Sequence, residues 1–175
     1  MSNKDRGKYF ENYVVANIKT YLNLKNRDIY RSSTSGNYSK EYGDITFSTA
    51  AKINDEVITI YPWIIECKFQ KNWSMSMMFS HSKEFQSHWL ELEQQTEKYI
   101  KNYPGIIPLK SLIISKPYEK VWIIFKKENL IDNSISKFDL NKLEYFIVNN
   151  NKNMIITELK QFLFTFSSEL CSIKI

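Results

Sequence analysis

Cysteine and histidine are scarce in this chain, with two residues of each among 175. Two cysteines are too few for a disulfide framework, and Cys67 and Cys171 do not show the spacing of a structural zinc site. His81 and His88 have no carboxylate spacing near them that indicates zinc, and we interpret both as ordinary residues. The composition therefore argues against a disulfide scaffold and against a zinc centre.

Long apolar runs are also missing. No segment approaches the roughly 18 consecutive apolar residues that a membrane-spanning helix needs. The first residues, MSNKDRGK, are polar and lack the apolar stretch of a secretory signal. We find no internal repeat and no low-complexity linker. We therefore expect a cytoplasmic protein with a single domain over residues 1–175.

The composition is that of a globular protein: 43% of the residues are hydrophobic, 15% aromatic and 25% charged. Such a chain is too rich in aromatic residues to be disordered and is long enough to form a substantial core. The formal net charge is +5 and the sequence pI is about 9.0. This balance suits a polyanionic partner such as nucleic acid, although a basic composition alone does not establish one.

Hydrophobic periodicity predicts both helices and strands. Apolar residues recur at helical spacing over about 4–24 and 84–102. Strands are predicted at 29–32, 44–49, 57–69, 112–115 and 121–125. Residues 71–82 show no clean period, 138–148 fit a short helix or strand, and 155–170 are predicted as a terminal helix. The order of elements predicts an α/β domain with a central mixed sheet flanked by helices.

Acidic residues stand at the ends of two predicted strands. Asp44 opens one strand, and Glu66 and Lys68 close another. Because strand residues two apart point to the same side, Glu66 and Lys68 project together. Carboxylate oxygens suit Mg²⁺, for which Mn²⁺ often substitutes. We expect Asp44 and Glu66 to be metal ligands together with the backbone carbonyl of Cys67, and Lys68 to offset phosphate charge or orient a water.

Glu11, on the first predicted helix, is a candidate to hold a metal-bound water or to contribute to a second metal site. Taken singly, each of these features has a simpler interpretation. A Glu-x-Lys in a strand is usually a solvated face, Gly43 and Asp44 fit a turn, and Glu11 fits an exposed helix position. Their combination and order favour a site for phosphodiester hydrolysis. A metal ion held by these carboxylates would lower the pKa of a bound water, which could then attack the phosphate.

Three segments of the chain resemble the active-site motifs of the PD-(D/E)XK nuclease superfamily, namely GKYFE at 7–11, GDI at 43–45 and ECK at 66–68. The resemblance covers residues 4–125, and 126–175 would form a C-terminal extension. Gly43 takes the place of the proline that usually precedes the aspartate. Within the superfamily, RSSTSG at 31–36 ahead of this motif is similar to archaeal-type and phage Holliday-junction resolvases, which are small, basic and dimeric.

The resemblance implies a restriction-endonuclease-like domain and a Mg²⁺-dependent DNA endonuclease. Glu11, Asp44, Glu66 and Lys68 carry over as the catalytic set. The resolvase likeness further implies branched DNA as substrate, a homodimer, and a bacterial, archaeal or phage-encoded protein. Two alternatives stay open: a restriction-type or DNA-repair nuclease on the same core, and a non-catalytic DNA-binding or assembly protein that retains the fold.

The resemblance also suggests substrate-binding residues. Ser35 carries over as a loop residue near the scissile phosphate. Gln95 and Tyr99 resemble a Gln-x-x-x-Tyr element, and positions four apart share a helix face. The alternative is that Tyr99 packs in the core and Gln95 lies on the surface. Arg31 and Lys40 are candidates for phosphate contacts that carry no sequence information, unless they are only scattered surface charges.

Overall fold

The computed structural model describes residues 2–32, 42–48, 50–53, 56–79, 82–117, 119–127, 139–147 and 153–173. In that part of the chain the helices are α1 (Asn3–Tyr21), α2 (Met75–Phe79), α3 (Lys83–Asn102) and α4 (Leu159–Leu170). A short 3₁₀ helix spans Leu140–Lys142. The first five strands are β1 (Ile29–Arg31), β2 (Ile45–Phe47), β3 (Ala50–Ile53), β4 (Glu56–Ile60) and β5 (Trp63–Phe69). The others are β6 (Leu109–Ser115), β7 (Trp122–Lys126), β8 (Phe146–Ile147), β9 (Met154–Glu158) and β10 (Cys171–Ile173).

A five-stranded mixed sheet forms the centre of the fold, in the order β5-β6-β7-β9-β8. β5 and β6 are parallel, and the other neighbouring pairs are antiparallel. β1 and β2 form an antiparallel pair, and β10-β4-β3 form a three-stranded sheet. The predicted α/β architecture with a central mixed sheet flanked by helices is confirmed. In this sheet β5 is an edge strand, so one side of it is open to other parts of the chain.

Alternation along β5 separates two hydrophobic layers. Trp63, Ile65 and Cys67 join the cluster that contains the buried residues of α1 and α4. Ile64 joins the second cluster, to which α3 contributes Trp89 and Leu92, among others. Successive strand residues point to opposite faces, so Glu66 and Lys68 lie on the face of the sheet that α3 covers.

The first helix follows from its sequence. The Asp5 backbone N–H donates to the Ser2 hydroxyl at 3.2 Å, and the Ser2 N–H donates to the Asp5 carboxylate at 3.2 Å. This reciprocal pair is a capping box, which satisfies donors that the first turn leaves unpaired. Phe10, Val14 and Ile18 recur every four residues and are buried. The helix predicted over about 4–24 is confirmed, and it presents its apolar stripe to the sheet.

The prediction of one helix over residues 155–170 is wrong in its first part. Met154–Glu158 forms β9, which pairs with both β7 and β8, and α4 begins only at Leu159. Ile155, Ile156 and Thr157 are all buried. A strand covered on both faces is a continuous apolar run, and periodicity cannot distinguish it from a buried helix. The residues after 125 thus supply an inner strand of the sheet and a helix of the first cluster.

Among the described residues, no helix combines the length and the apolar character needed to cross a membrane.

Candidate active site

The chain around Asp44 lies against the open edge of β5. The Asp44 backbone N–H donates to the Ile65 carbonyl at 2.8 Å. The Asp44 carboxylate accepts from the Cys67 backbone N–H at 2.7 Å through Oδ2. These two hydrogen bonds lie on either side of Glu66 in the chain. They hold the Asp44 carboxylate beside the strand that carries Glu66 and Lys68.

Gly43 permits this close approach. Its φ is +72°, and a Cβ at this position would lie 2.4 Å from the Ile65 carbonyl oxygen. Glycine adopts positive φ without steric cost, whereas proline is restricted to φ near about −65°. Gly43 is therefore not a simple replacement for the proline usual in this motif, because proline cannot adopt this backbone conformation. A residue with a side chain would push Asp44 away from β5.

Cys67 contributes its backbone and not its thiol. In a strand, the N–H and C=O of one residue point to the same edge. Because the Cys67 N–H reaches Asp44, its carbonyl faces the same open edge, as the expected carbonyl ligand requires. The thiol points into the opposite layer and is buried. Burial raises the pKa of the Cys67 thiol well above its ordinary value, so the thiol remains protonated.

Glu66 and Lys68 form an ion pair that includes a third residue. Lys68 Nζ donates to Glu66 Oε1 at 2.6 Å and to Glu91 Oε2 at 2.9 Å. Glu66 is 4% exposed, whereas the Glu91 side chain on α3 is 50% exposed. Sequence reasoning missed Glu91, because an acid on the polar side of an amphipathic helix looks like any surface residue. The sequence pattern that could have indicated Glu91 is its position four residues before Gln95, which puts both side chains on the same face of the helix.

The Asp44 and Glu66 carboxylates both have pKa values above their ordinary range. Burial raises the pKa of Asp44 to about 6; the Cys67 N–H opposes this increase and the Glu11 carboxylate adds to it. Burial, together with the charge of Asp44, raises the pKa of Glu66 to about 8. Burial acts to lower the pKa of Lys68, but the Glu66 and Glu91 carboxylates outweigh it and the pKa is raised. The positive charge of Lys68 offsets the increase in the pKa values of Asp44 and Glu66 only in part, and a divalent cation bound between the two carboxylates would offset more of it.

The donor set fits a hard divalent cation. Among the described residues, no group of three or more His, Cys, Asp or Glu side chains is placed to hold a metal ion. Mg²⁺ commonly takes only one or two protein carboxylates and keeps several waters. Asp44 and Glu66 supply two carboxylates, and the Cys67 carbonyl faces the same edge. The arrangement thus suits Mg²⁺ or Mn²⁺ better than an ion that needs a closed set of protein ligands.

The chain matches, over residues 2–171, the family described as "Phage putative PDDEXK endonuclease". The chain belongs to this family. The match includes β9 and α4, and so extends beyond the segments whose motifs resemble the PD-(D/E)XK superfamily. No match is found among curated proteins or among solved structures.

In this member of the family, Glu11 lies near the site but is paired with a residue outside it. Its charge contributes to the raised pKa of Asp44, which places the two carboxylates near each other. Glu11 Oε2 accepts from Arg31 Nη1 at 3.3 Å. Arg31, predicted to contact DNA, is thus tied to the first helix of the site. The expected roles of Glu11 and Arg31 stay predictions.

The other predicted substrate-binding residues divide into two groups. Ser35 and Lys40 lie outside the described residues. Tyr99 packs edge-to-face on Tyr42, with ring centroids 5.0 Å apart. Since Tyr42 precedes Asp44 by two residues, this contact supports the segment that carries Asp44. Gln95 buries Oε1 without a hydrogen-bond partner in the described part of the chain.

Proposed function

We propose that this protein is a divalent-metal-dependent DNA endonuclease whose active site lies at the open edge of β5. The observation that carries the proposal is the hydrogen bond from the Cys67 N–H to Asp44, which holds that carboxylate beside Glu66 and Lys68. Membership in a family of PDDEXK endonucleases supports it. The raised pKa values of Asp44 and Glu66 support it as well, since a cation would relieve the repulsion between the two carboxylates.

Each residue of the site would have a distinct role in hydrolysis. Asp44, Glu66 and the Cys67 carbonyl would hold Mg²⁺, with Mn²⁺ as a substitute. The bound ion would neutralise phosphate charge and lower the pKa of a water. Lys68 keeps its positive charge and is a compact donor, suited to a phosphate oxygen or to orienting the attacking water. Its second partner, Glu91, would hold the ammonium in place when Glu66 turns to the cation.

We further propose branched DNA as the preferred substrate and a homodimer as the active form. Support for the substrate is the similarity of residues 31–36 to Holliday-junction resolvases. Cutting two strands of a junction needs two sites, and a symmetric dimer supplies them at a fixed spacing. The net charge of +5 favours association with DNA through its phosphates.

Cleavage assays test the proposal directly. The parent chain, Asp44→Asn and Lys68→Ala are each incubated with Mg²⁺ or Mn²⁺ and either a four-way junction or a linear duplex with the same arm sequences. We expect metal-dependent cleavage by the parent that EDTA stops. The cleavage rate of Asp44→Asn should be lower than that of the parent by more than about 100-fold. Even residues that only hydrogen-bond to metal ligands typically cost about 10–100-fold in activity when they are replaced.

The pattern of products distinguishes the alternatives. Paired nicks at the junction, with the duplex left intact, support junction resolution. Equal or sequence-dependent cutting of the duplex contradicts it and indicates a restriction-type or repair nuclease. A parent chain that binds DNA but cuts neither substrate with either metal contradicts the endonuclease proposal and indicates a non-catalytic DNA-binding protein.

A further inference from the structure

A cleft of about 670 Å³ lies on the α1 side of the sheet, where β5 and β6 end. None of its residues has a role in the proposed catalytic set. Aromatic and basic side chains provide most of its functional groups, and those that matter here are Arg6, Tyr9, Tyr13, Phe69, Lys71 and Lys116. The carboxyl ends of parallel strands are a common place for ligands to bind in α/β folds.

The aromatic part of the cleft suits a flat ring. Phe10 and Phe69 pack together with ring centroids 5.4 Å apart and contribute to the apolar lining. Tyr9 is 66% exposed and Tyr13 is 36% exposed. An exposed aromatic ring beside an apolar surface can stack on a nucleobase whatever its sequence, because every base has a π-face.

The charged part of the cleft favours an anion. Arg6 and Lys71 have no carboxylate within ion-pair distance among the residues that the structure describes. Lys116 is paired with Glu119 at 2.7 Å, and Glu119 is the acidic residue among those that line the cleft. Three cations against one carboxylate leave the cleft positive, which complements a phosphate backbone.

The cleft and the catalytic residues belong to the same two elements. Phe69 directly follows Lys68 in β5, and Tyr9 precedes Glu11 by two residues in α1. Strand alternation places Lys68 on the α3 face and Phe69 on the α1 face. A DNA strand that passes the carboxyl end of β5 would therefore reach both the catalytic lysine and the cleft.

We propose that this cleft binds an unpaired nucleotide of the DNA substrate, with its base stacked on Tyr9 and its phosphates near Arg6 and Lys71. A base inside a duplex is stacked on its neighbours and does not offer a face to Tyr9 without being extruded. The ligand is therefore single-stranded DNA, such as the single-stranded arm of a forked or flapped branched molecule, which a fully paired four-way junction does not contain. This inference rests on the proposed function, since it names the form of DNA that the site receives.

Binding measurements without metal test the cleft separately from catalysis. Fluorescence anisotropy in EDTA compares a labelled oligothymidine with a duplex of the same length. We expect Tyr9→Ala to weaken binding of the single strand roughly 5- to 150-fold, because stacking contributes about 1–3 kcal/mol per base. Tyr9→Phe should keep the affinity, and Phe164→Ala, a matched control on α4 with 77% exposure, should change nothing.

The salt dependence tests the charged part. In the double variant Arg6→Ala, Lys71→Ala, the plot of log affinity against log salt concentration for the single strand should become less steep. Its slope should decrease in magnitude by about 1.4, or about 0.7 for each phosphate contact that is lost. Lys101, an exposed lysine at the end of α3, provides the matched control, and Lys101→Ala should leave both the affinity and the salt slope unchanged.

Several outcomes would overturn the cleft proposal. These are a parent chain that does not bind the single strand, an unchanged affinity in Tyr9→Ala, an equal loss for the duplex, and an equal loss in Tyr9→Phe. The two proposals fail in different ways. Tyr9-dependent binding by a parent chain that never cleaves refutes only the endonuclease, whereas cleavage with Tyr9-independent binding refutes only the cleft.

Discussion

The Asp44 carboxylate accepts a hydrogen bond from the backbone N–H of Cys67, which lies 23 positions further along the chain. The donor belongs to the backbone, so its position depends on the course of β5 and not on the identity of residue 67. Glu66 lies immediately before it on the same strand. The edge of a sheet thus sets the spacing of both carboxylates, and rigid elements hold catalytic groups more accurately than loops do.

Replacing the Cys67 side chain should therefore leave catalysis intact. In Cys67→Ala we expect cleavage close to that of the parent chain, because the N–H that binds Asp44 and the carbonyl that faces the site are both retained. The free energy of unfolding should fall by about 1 kcal/mol through loss of a buried side chain. Cleavage rates and urea denaturation measure the two effects. A loss of cleavage as large as that in Asp44→Asn would show that the thiol takes part.

Gly43→Ala should damage both stability and activity. The added Cβ would lie 2.4 Å from the Ile65 carbonyl oxygen at a φ of +72°, so Asp44 must move away from β5. Gly105→Ala is the matched control, because Gly105 has a φ of +86° and no atom within 4 Å of an added Cβ. The control should lose about 1–2 kcal/mol of unfolding free energy from backbone conformation alone. Gly43→Ala should lose more than this and also lose cleavage, and equal effects in the two variants would contradict the close approach.

Glu91→Gln tests the second partner of Lys68. The expected loss of unfolding free energy is under about 1 kcal/mol, because Glu91 is half exposed and its ion pair is screened by water. Cleavage should fall by roughly tenfold, as for other groups that orient an active-site residue. Glu97→Gln on the exposed surface of the same helix is the control. Normal cleavage in Glu91→Gln, measured at saturating DNA, would show that Glu66 alone positions the lysine.

The raised pKa values predict how the metal-free protein responds to pH. Folded Glu66, with its pKa raised from 4.5 to about 8, keeps a proton that the unfolded chain releases at lower pH. Its contribution to stability is present at low pH and is lost as the pH rises from 4.5 to 8. Asp44, raised from 3.8 to about 6, acts in the same direction over a lower range. His88 acts in the opposite direction, because burial lowers its pKa and the folded state prefers the neutral ring.

A comparison of variants separates these contributions. Thermal denaturation in EDTA should show that the parent loses stability relative to Glu66→Gln as the pH increases. The contribution of His88 to the pH dependence is the same in both proteins and therefore cancels in the difference. Mg²⁺ competes with protons for the same oxygens, so it should raise the melting temperature of the parent more at pH 8 than at pH 5. A difference between parent and variant that does not vary with pH would contradict the raised pKa of Glu66.

Much of the site could be predicted from local pattern. Glu66 and Lys68 project together because strand side chains alternate, and this needs no tertiary information. The buried stripe of α1, from Phe10 to Ile18, likewise follows from helical spacing. The pairing of Glu91 with Lys68 could not be predicted from local pattern. The two residues are 23 positions apart in the chain and lie on different elements, Lys68 on β5 and Glu91 on α3.

The error at residues 155–170 has a related cause. Burial on both faces removes the alternation that identifies a strand, so Ile155 and Ile156 could as well have belonged to a helix. Only the neighbours of β9 make it a strand, because β7 and β8 supply the partners of its backbone groups.

The sequence by itself determined which chemical groups this protein has and which side of each element they occupy. It determined a strand ending in a carboxylate and an amine, a second acid after a polar loop, and a positive net charge. Tertiary structure decided which elements meet: Asp44 with Cys67, Lys68 with Glu91, and Tyr9 and Phe69 around one cleft. The physical reason is that periodicity records burial within one element, whereas pairing depends on hydrogen bonds and contacts between residues distant in the chain.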